Sequence, residues 1–215
     1  IIIKVFMKIL YDLVYFSKEQ QGGISKMWLE YFKLISSSNI DANFIVDLNT
    51  KNITNDYLKE NNFFDYPVIL DKIKSNLPFI NKAKNLSFFR NFKLPLIIPK
   101  STEIFHSTDF INPIIKPKNT KIVTTIHDMV FWDQKNSFKK GISYWDKRWS
   151  IYHSLKISNK IITVSNNSKK SIIKYFPWSE KKIAVNYHGL SKNFLNVKIN
   201  HNKKKYFMFI GGRNS

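Results

Sequence analysis

The sequence predicts a three-layer α/β domain with a mostly parallel sheet, and three observations carry that expectation. Short apolar, β-branched runs alternate with segments of helical periodicity. Several of those runs are apolar almost without interruption, as strands buried on both faces are. The connections between them are short, which leaves room for strand-helix-strand crossovers and little else.

The elements follow in order. Lys4 to Tyr11 reads as a first strand. Gln21-Gly22-Gly23-Ile24 then turns into a helix in which Ile24, Trp28, Tyr31 and Leu34 or Ile35 recur every three or four residues. Asn43 to Leu48 is a buried-type strand, so the chain opens β-α-β. Between Thr50 and Lys100 the signals weaken. Pro67, Pro78, Pro95 and Pro99 punctuate a Phe-rich stretch expected to hold one or two helices, such as Ile80 to Phe92. Glu103 to Ser107 and Lys121 to Asp128 are strands that each end in a histidine with a hydroxyl or carboxylate beside it. Phe138 to Ser158 carries Ile142, Trp145, Trp149, Tyr152 and Leu155 at helical spacing, with Trp145 and Trp149 read as packing residues. Lys160 to Val164 is a strand, Ser165 to Ser168 supplies helix caps for Lys169 to Phe176, and Ile183 to Asn186 is a strand closed by His188-Gly189. The whole is Rossmann-like. In such a sheet ligands sit at the carboxyl ends of the strands, which puts His106, Ser107, His127 and Asp128 where chemistry is expected.

Composition narrows the class. The 215 residues hold 35 Lys+Arg and 15 Asp+Glu, a formal charge of +20, with 43% hydrophobic and 15% aromatic residues. That is too apolar for a disordered basic tail. The charge suits nucleic acid or an anionic surface, and equally a general bias toward Lys, Ile and Asn. There is no Cys, which excludes disulfides, thiolate metal sites and a cysteine nucleophile and fits a reducing cytosol. The apolar opening run is interrupted by Lys4, Lys8 and Asp12 and resembles neither a signal peptide nor a span; Met7 would make a natural start. The sequence has no G-x-G-x-x-G, P-loop, H-E-x-x-H or G-x-S-x-G motif, and no D-x-D pair of the kind that holds a metal on a sugar diphosphate. No metal site is expected.

What remains is Gly22-Gly23, whose backbone could approach phosphate oxygens with positive φ, and the histidines at the strand ends. His127 could bond a sugar hydroxyl or developing negative charge, or be a structural histidine satisfied by a carbonyl. The order of the pieces decides more than any one of them. Gln20 to Lys26, Ile104 to Ser107 with Asn112-Pro113, Val123 to Met129, Ile161 to Ile172, Lys182 to Leu190 and Tyr206 to Arg213 together resemble the N-terminal half of GT-B glycosyltransferases of family 4.

That resemblance implies the following. Residues 1–197 form an acceptor-side Rossmann-like domain, 198–205 a basic linker, and 206–215 the first strand of a C-terminal donor-binding domain whose remainder is missing. The enzyme transfers a hexose, such as mannose, with retention, from a GDP- or UDP-linked nucleotide-diphosphate sugar to a glycan or lipid-linked acceptor, without a cofactor, in polysaccharide biosynthesis. His127 is the catalytic candidate, Gly22 and Gly23 lie near the donor diphosphate, and His106, Ser107, Asp128 and Ser165 line or position the cleft. The expected location is cytoplasmic, with peripheral contact at the inner face of an anionic membrane. Alone, this chain is expected to transfer little sugar. The competing expectation is a non-catalytic basic module for nucleic acid or an anionic surface; no specific nucleic-acid partner is expected on the first reading.

Overall fold

The computed structural model describes residues 8–18, 22–38, 40–47, 68–71 and 87–189. Seven parallel strands form one sheet: β1 (Lys8–Asp12), β2 (Asp41–Asp47), β3 (Val68–Asp71), β4 (Ile104–Ser107), β5 (Lys121–Ile126), β6 (Lys160–Thr163) and β7 (Ile183–Val185), in the order β3-β2-β1-β4-β5-β6-β7. The helices are α1 (Val14–Lys18), α2 (Gly23–Ser36), α3 (Ser87–Ile97), α4 (Val130–Asp133), α5 (Ile142–Ile157) and α6 (Asn166–Tyr175), followed by a 3-10 turn over Pro177–Lys182. The strand order reverses between β1 and β4, so this doubly wound sheet has its switch point there.

The two faces are built differently. On one, Trp28, Leu29, Phe32 and Ile35 of α2 pack on Tyr11 and Phe44. On the other, α3 lays Leu94 on Leu10, Phe105 and Ile122, while α5 and α6 bring Ile151, Leu155 and Ile172 onto Ile126, Ile161 and Ile183. The alternation of the strands separates the sets: Leu10, Phe105 and Ile122 share one face through their registers, Tyr11 and His106 the other.

Three elements depart from the sequence expectation. β3 was not foreseen; it is four residues directly after Pro67. α3 runs on through Pro95, which has no N–H to give the carbonyl of Asn91. The backbone N–H of Ile114 donates to that oxygen instead, at 2.8 Å, and the carboxylate of Asp146 caps the other end by accepting from Ser87 and Phe88 N–H at 2.9 and 3.1 Å. In α5 three of the five residues of the expected packing stripe face outward, Trp149 is half-buried and Leu155 is buried. Tyr144, Ile151 and Leu155 are buried together with Ser150 and Ser154, whereas Ile142, Trp145 and Tyr152 are exposed. The small serines let the helix approach the sheet closely, and Ser154 Oγ donates to the carbonyl of Phe110.

The linker expected at 198–205, the strand at 206–210 and the start of the helix expected from Ile80 lie outside the described residues. Among the described residues no helix is long and apolar enough to cross a membrane.

His106 makes the fold sensitive to acid. Its ring is buried between Tyr11 and Trp28, with Nε2 2.9 Å from Thr125 Oγ1, and burial pulls its pKa from 6.5 down to about 3. Between those values the unfolded chain binds a proton that the folded chain does not, so stability falls as pH drops from 6.5 toward 3, by at most about 1.4 kcal/mol per pH unit for this group. Urea unfolding should show a lower midpoint near pH 5 than near pH 7, and His106→Phe should flatten that dependence.

Candidate functional site

The carboxyl edge of the sheet is organised around the switch point. β1 ends in Asp12, which is fully buried and faces α3, where Arg90 meets it through two bonds: Nε to Oδ2 at 3.0 Å and Nη2 to Oδ1 at 2.5 Å. Beside it, Thr108 ties three elements together. Its N–H and Oγ1 both donate to the carbonyl of Asp12, at 3.0 and 2.7 Å; its Oγ1 accepts from Tyr15 N–H, and its carbonyl accepts from Trp28 Nε1 at 3.0 Å. The exits of β1 and β4 and the first half of α2 are thereby fixed to one another.

That arrangement brings the Gly22-Gly23 turn to the same edge. Gly22 precedes α2 with φ −151° and ψ 174°, extended backbone rather than the positive φ expected. The N-cap residue Gly22 makes no side-chain capping bond, and a Cβ on Gly23 would meet nothing within 4 Å.

His127 follows β5. Its carbonyl accepts from Ser168 Oγ at 2.8 Å, and Ser168 is held in turn by Ser165, whose Oγ accepts from Ser168 N–H at 3.0 Å as the N-cap of α6. The cap predicted at Ser165 thus fixes the loop that carries His127. The imidazole Nε2 is buried and has no hydrogen-bond partner among the described residues, and the ring stacks on His188 with centroids 5.9 Å apart. Burial, then the neighbouring His188, lower the His127 pKa; Asp109 and Asp128 push the other way without reversing it. The ring is neutral near pH 7, and its open nitrogen can donate or accept according to tautomer.

The remaining candidates divide. Asp128 is exposed and accepts from Val130 N–H at 3.1 Å, shaping the short α4. His106 and Ser107 lie beneath the edge, both buried; the Ser107 hydroxyl accepts from Asp109 N–H at 3.3 Å. Three residues at the edge were missed. Asp109 is buried and acts electrostatically on His127, although it stands only two residues beyond β4 in a stretch read no further than its hydroxyls. Asp12 read only as a charge interrupting an apolar run, and Arg90 gave no signal, because its partner is 78 residues away. Among the described residues no three His, Asp or Glu side chains converge to hold a metal ion.

A doubly wound parallel sheet, with a glycine turn into α2 and a His127 whose Nε2 has no partner among the described residues at its carboxyl edge, defines an α/β domain of the kind that binds ligands at that edge. The family model for Glycosyltransferase Family 4 matches residues 53–193, well over half of the chain, and the chain belongs to that family. The match takes in the weakly patterned stretch after Thr50 along with β4 to β7, and it stops short of Gly22-Gly23 on one side and Tyr206 on the other. No curated protein matches the chain. The chain is therefore a glycosyltransferase domain, a class that draws on nucleotide-sugar donors and sugar acceptors.

Proposed function

We propose that this domain is the acceptor side of a retaining transferase that moves a hexose, such as mannose, from a GDP- or UDP-linked sugar to a glycan or lipid-linked acceptor in polysaccharide biosynthesis. The observation that carries this reading is the buried, unpartnered Nε2 of His127 at the carboxyl edge. A polar atom in that position is poorly satisfied without a ligand, and a sugar hydroxyl or ring oxygen supplies the partner. A neutral ring suits this better than an imidazolium, because it bonds hydroxyls in either direction.

Around it the roles follow from position. The start of α2 at Gly22 and Gly23 offers backbone N–H groups and the positive end of the helix dipole to the donor diphosphate. Asp128 and His188 flank the transferred sugar. His106 and Ser107 shape the floor from below, and Ser165 holds the His127 loop through Ser168. The domain's work is to orient both sugars and to stabilise departing negative charge electrostatically. A second α/β domain, announced by the strand-and-glycine pattern of Tyr206 to Gly212, completes the donor site, so the chain alone transfers little. The protein works in the cytoplasm against an anionic membrane, where a lipid-linked acceptor sits.

The test is a transfer assay on the protein with the proposed second domain present, with radiolabelled GDP-mannose, UDP-glucose and UDP-galactose and a lipid and glycan extract as acceptor. Label in a product that keeps the donor's anomeric configuration is expected. Inverted product, or none from any donor, would overturn the reading.

A further inference from the structure

The exposed large apolar side chains of this domain are unevenly placed. On α3, Phe88, Phe92 and Leu96 recur at every fourth residue along the outer ridge, and Leu96 is 77% exposed. On the neighbouring α5, Ile142, Trp145 and Tyr152 form a second outward ridge, with Ile142 76% and Trp145 57% exposed. Ile115 is exposed on the loop whose backbone is bonded to both helices: Ile114 N–H donates to Asn91 of α3, and His153 Nε2 of α5 lies 3.0 Å from the carbonyl of Pro113. The rings form two groups along the layer. Phe92 touches Phe88 at 4.7 Å between centroids, Phe88 touches Trp149 at 5.2 Å, and one turn further along α5 Tyr152 meets the exposed Trp178 at 6.4 Å. Soluble surfaces rarely leave so much contiguous apolar area open without a partner.

The charge around this band is predominantly positive. Lys93 lies on α3, Lys116 on the intervening loop, Lys147 and Lys156 on α5, and Lys181 beside Trp178. The helices α3, α5 and α6, residues 113–118 and the Pro177–Lys182 turn together carry two carboxylates, Asp146 and Glu180, and Asp146 is engaged in capping α3.

We propose that this helical layer is the surface by which the protein docks on an anionic lipid bilayer. The chemistry favours lipid over the other two macromolecular partners that a basic aromatic surface could suit. The most exposed residues are the aliphatic Leu96, Ile142 and Ile115, which offer nothing to nucleic-acid bases but gain by entering the acyl boundary. The lysines interleaved with them would be disfavoured in the core of a protein interface, whereas Lys stems beside Trp and Tyr are the composition of a membrane-water interface. Anionic headgroups supply the countercharge.

The orientation fits the site. α3 and α5 run antiparallel to the strands, so Phe88, Ile142 and Trp145 stand at the end of the layer nearest the carboxyl edge that carries His127. Docked through this layer, the domain presents its site to the side, just above the headgroups. This inference assigns a surface to the peripheral contact included in the proposed function, and its test does not depend on sugar transfer.

The experiment measures sedimentation of the full chain with vesicles of phosphatidylglycerol and phosphatidylcholine in equal parts, and with phosphatidylcholine alone. Binding to the anionic vesicles is expected, reduced about tenfold or more by the triple variant F92S/L96S/W145S and less than about twofold by L34S, an equally exposed leucine on α2 across the sheet. In the unmutated protein, brominated lipid should quench part of the tryptophan emission, from Trp145 and Trp178. The proposal is overturned if the chain ignores anionic vesicles, if the triple variant binds within about twofold of wild type, or if brominated lipid leaves the emission unchanged. Binding to single-stranded RNA, with no binding to vesicles, would overturn it in favour of nucleic acid.

Discussion

Replacing His127 by alanine lowers kcat for sugar transfer about 10²- to 10³-fold, with a much smaller change in KM for the donor. The magnitude is that of removing one preorganised hydrogen bond from a site where charge develops. The asymmetry between kcat and KM follows from where the ring sits. His127 lies just beyond β5, away from the α2 start proposed for the diphosphate, so binding of the donor's charged part does not depend on it. The loop that carries it is held by the chain Ser165 to Ser168 to the His127 carbonyl, all of which the alanine variant keeps. The loss is therefore chemical, and the variant's melting temperature stays close to that of wild type. His127→Gln, which keeps a donor and an acceptor on a side chain of similar reach, recovers part of the rate. Equal losses in kcat/KM and in thermal stability would instead mark His127 as a structural histidine.

The largest effect on stability comes from Arg90. Arg90→Met leaves the Asp12 carboxylate buried at the end of β1 without its guanidinium, a change that costs about 3–5 kcal/mol in comparable buried pairs. In a domain of this size that lowers the melting temperature by roughly 8–16 °C. The double variant D12N/R90M removes both charges and recovers more than half of the loss, because the penalty lies chiefly in the uncompensated charge rather than in the missing attraction. Calorimetry on the two variants reads both outcomes. A single variant within about 1 kcal/mol of wild type would mean that the pair contributes little to holding the switch point.

The fold was legible wherever the local pattern sufficed. β4 and β5 end in polar residues after apolar runs, and β6 passes directly into a Ser-capped helix; both show in sequence because strand periodicity and capping are local. β3 was hidden because four residues after a proline carry too little periodicity to separate from loop. The outer stripe of α5 misled for a physical reason. Apolar spacing of three and four marks a face but not which face is buried, and here Ser150 and Ser154 occupy the buried side while Ile142, Trp145 and Tyr152 occupy the open one.

The candidate site divides the same way. His127, Asp128 and Ser165 were visible as residues at the ends of strands. Asp12 and Arg90 were not, since their roles arise from a contact between residues far apart in the chain. His106 differs from His127 in orientation. Its place at a strand end resembled that of His127, but the strand turns it toward Tyr11, Trp28 and Thr125 in the interior rather than toward the open edge.

The central claim is that sugars bind at the carboxyl edge beside His127. Nitrogen NMR of the chain labelled at its histidine rings tests it most directly, with GDP-mannose, UDP-glucose and free hexoses titrated in turn. The account predicts that the ring nitrogens of His127, and of His188 stacked against it, shift on addition of at least one of these, while those of the buried His106 and of His153 stay in place. Saturable binding with His127 and His188 unmoved, or no binding of any of these sugars, would contradict it.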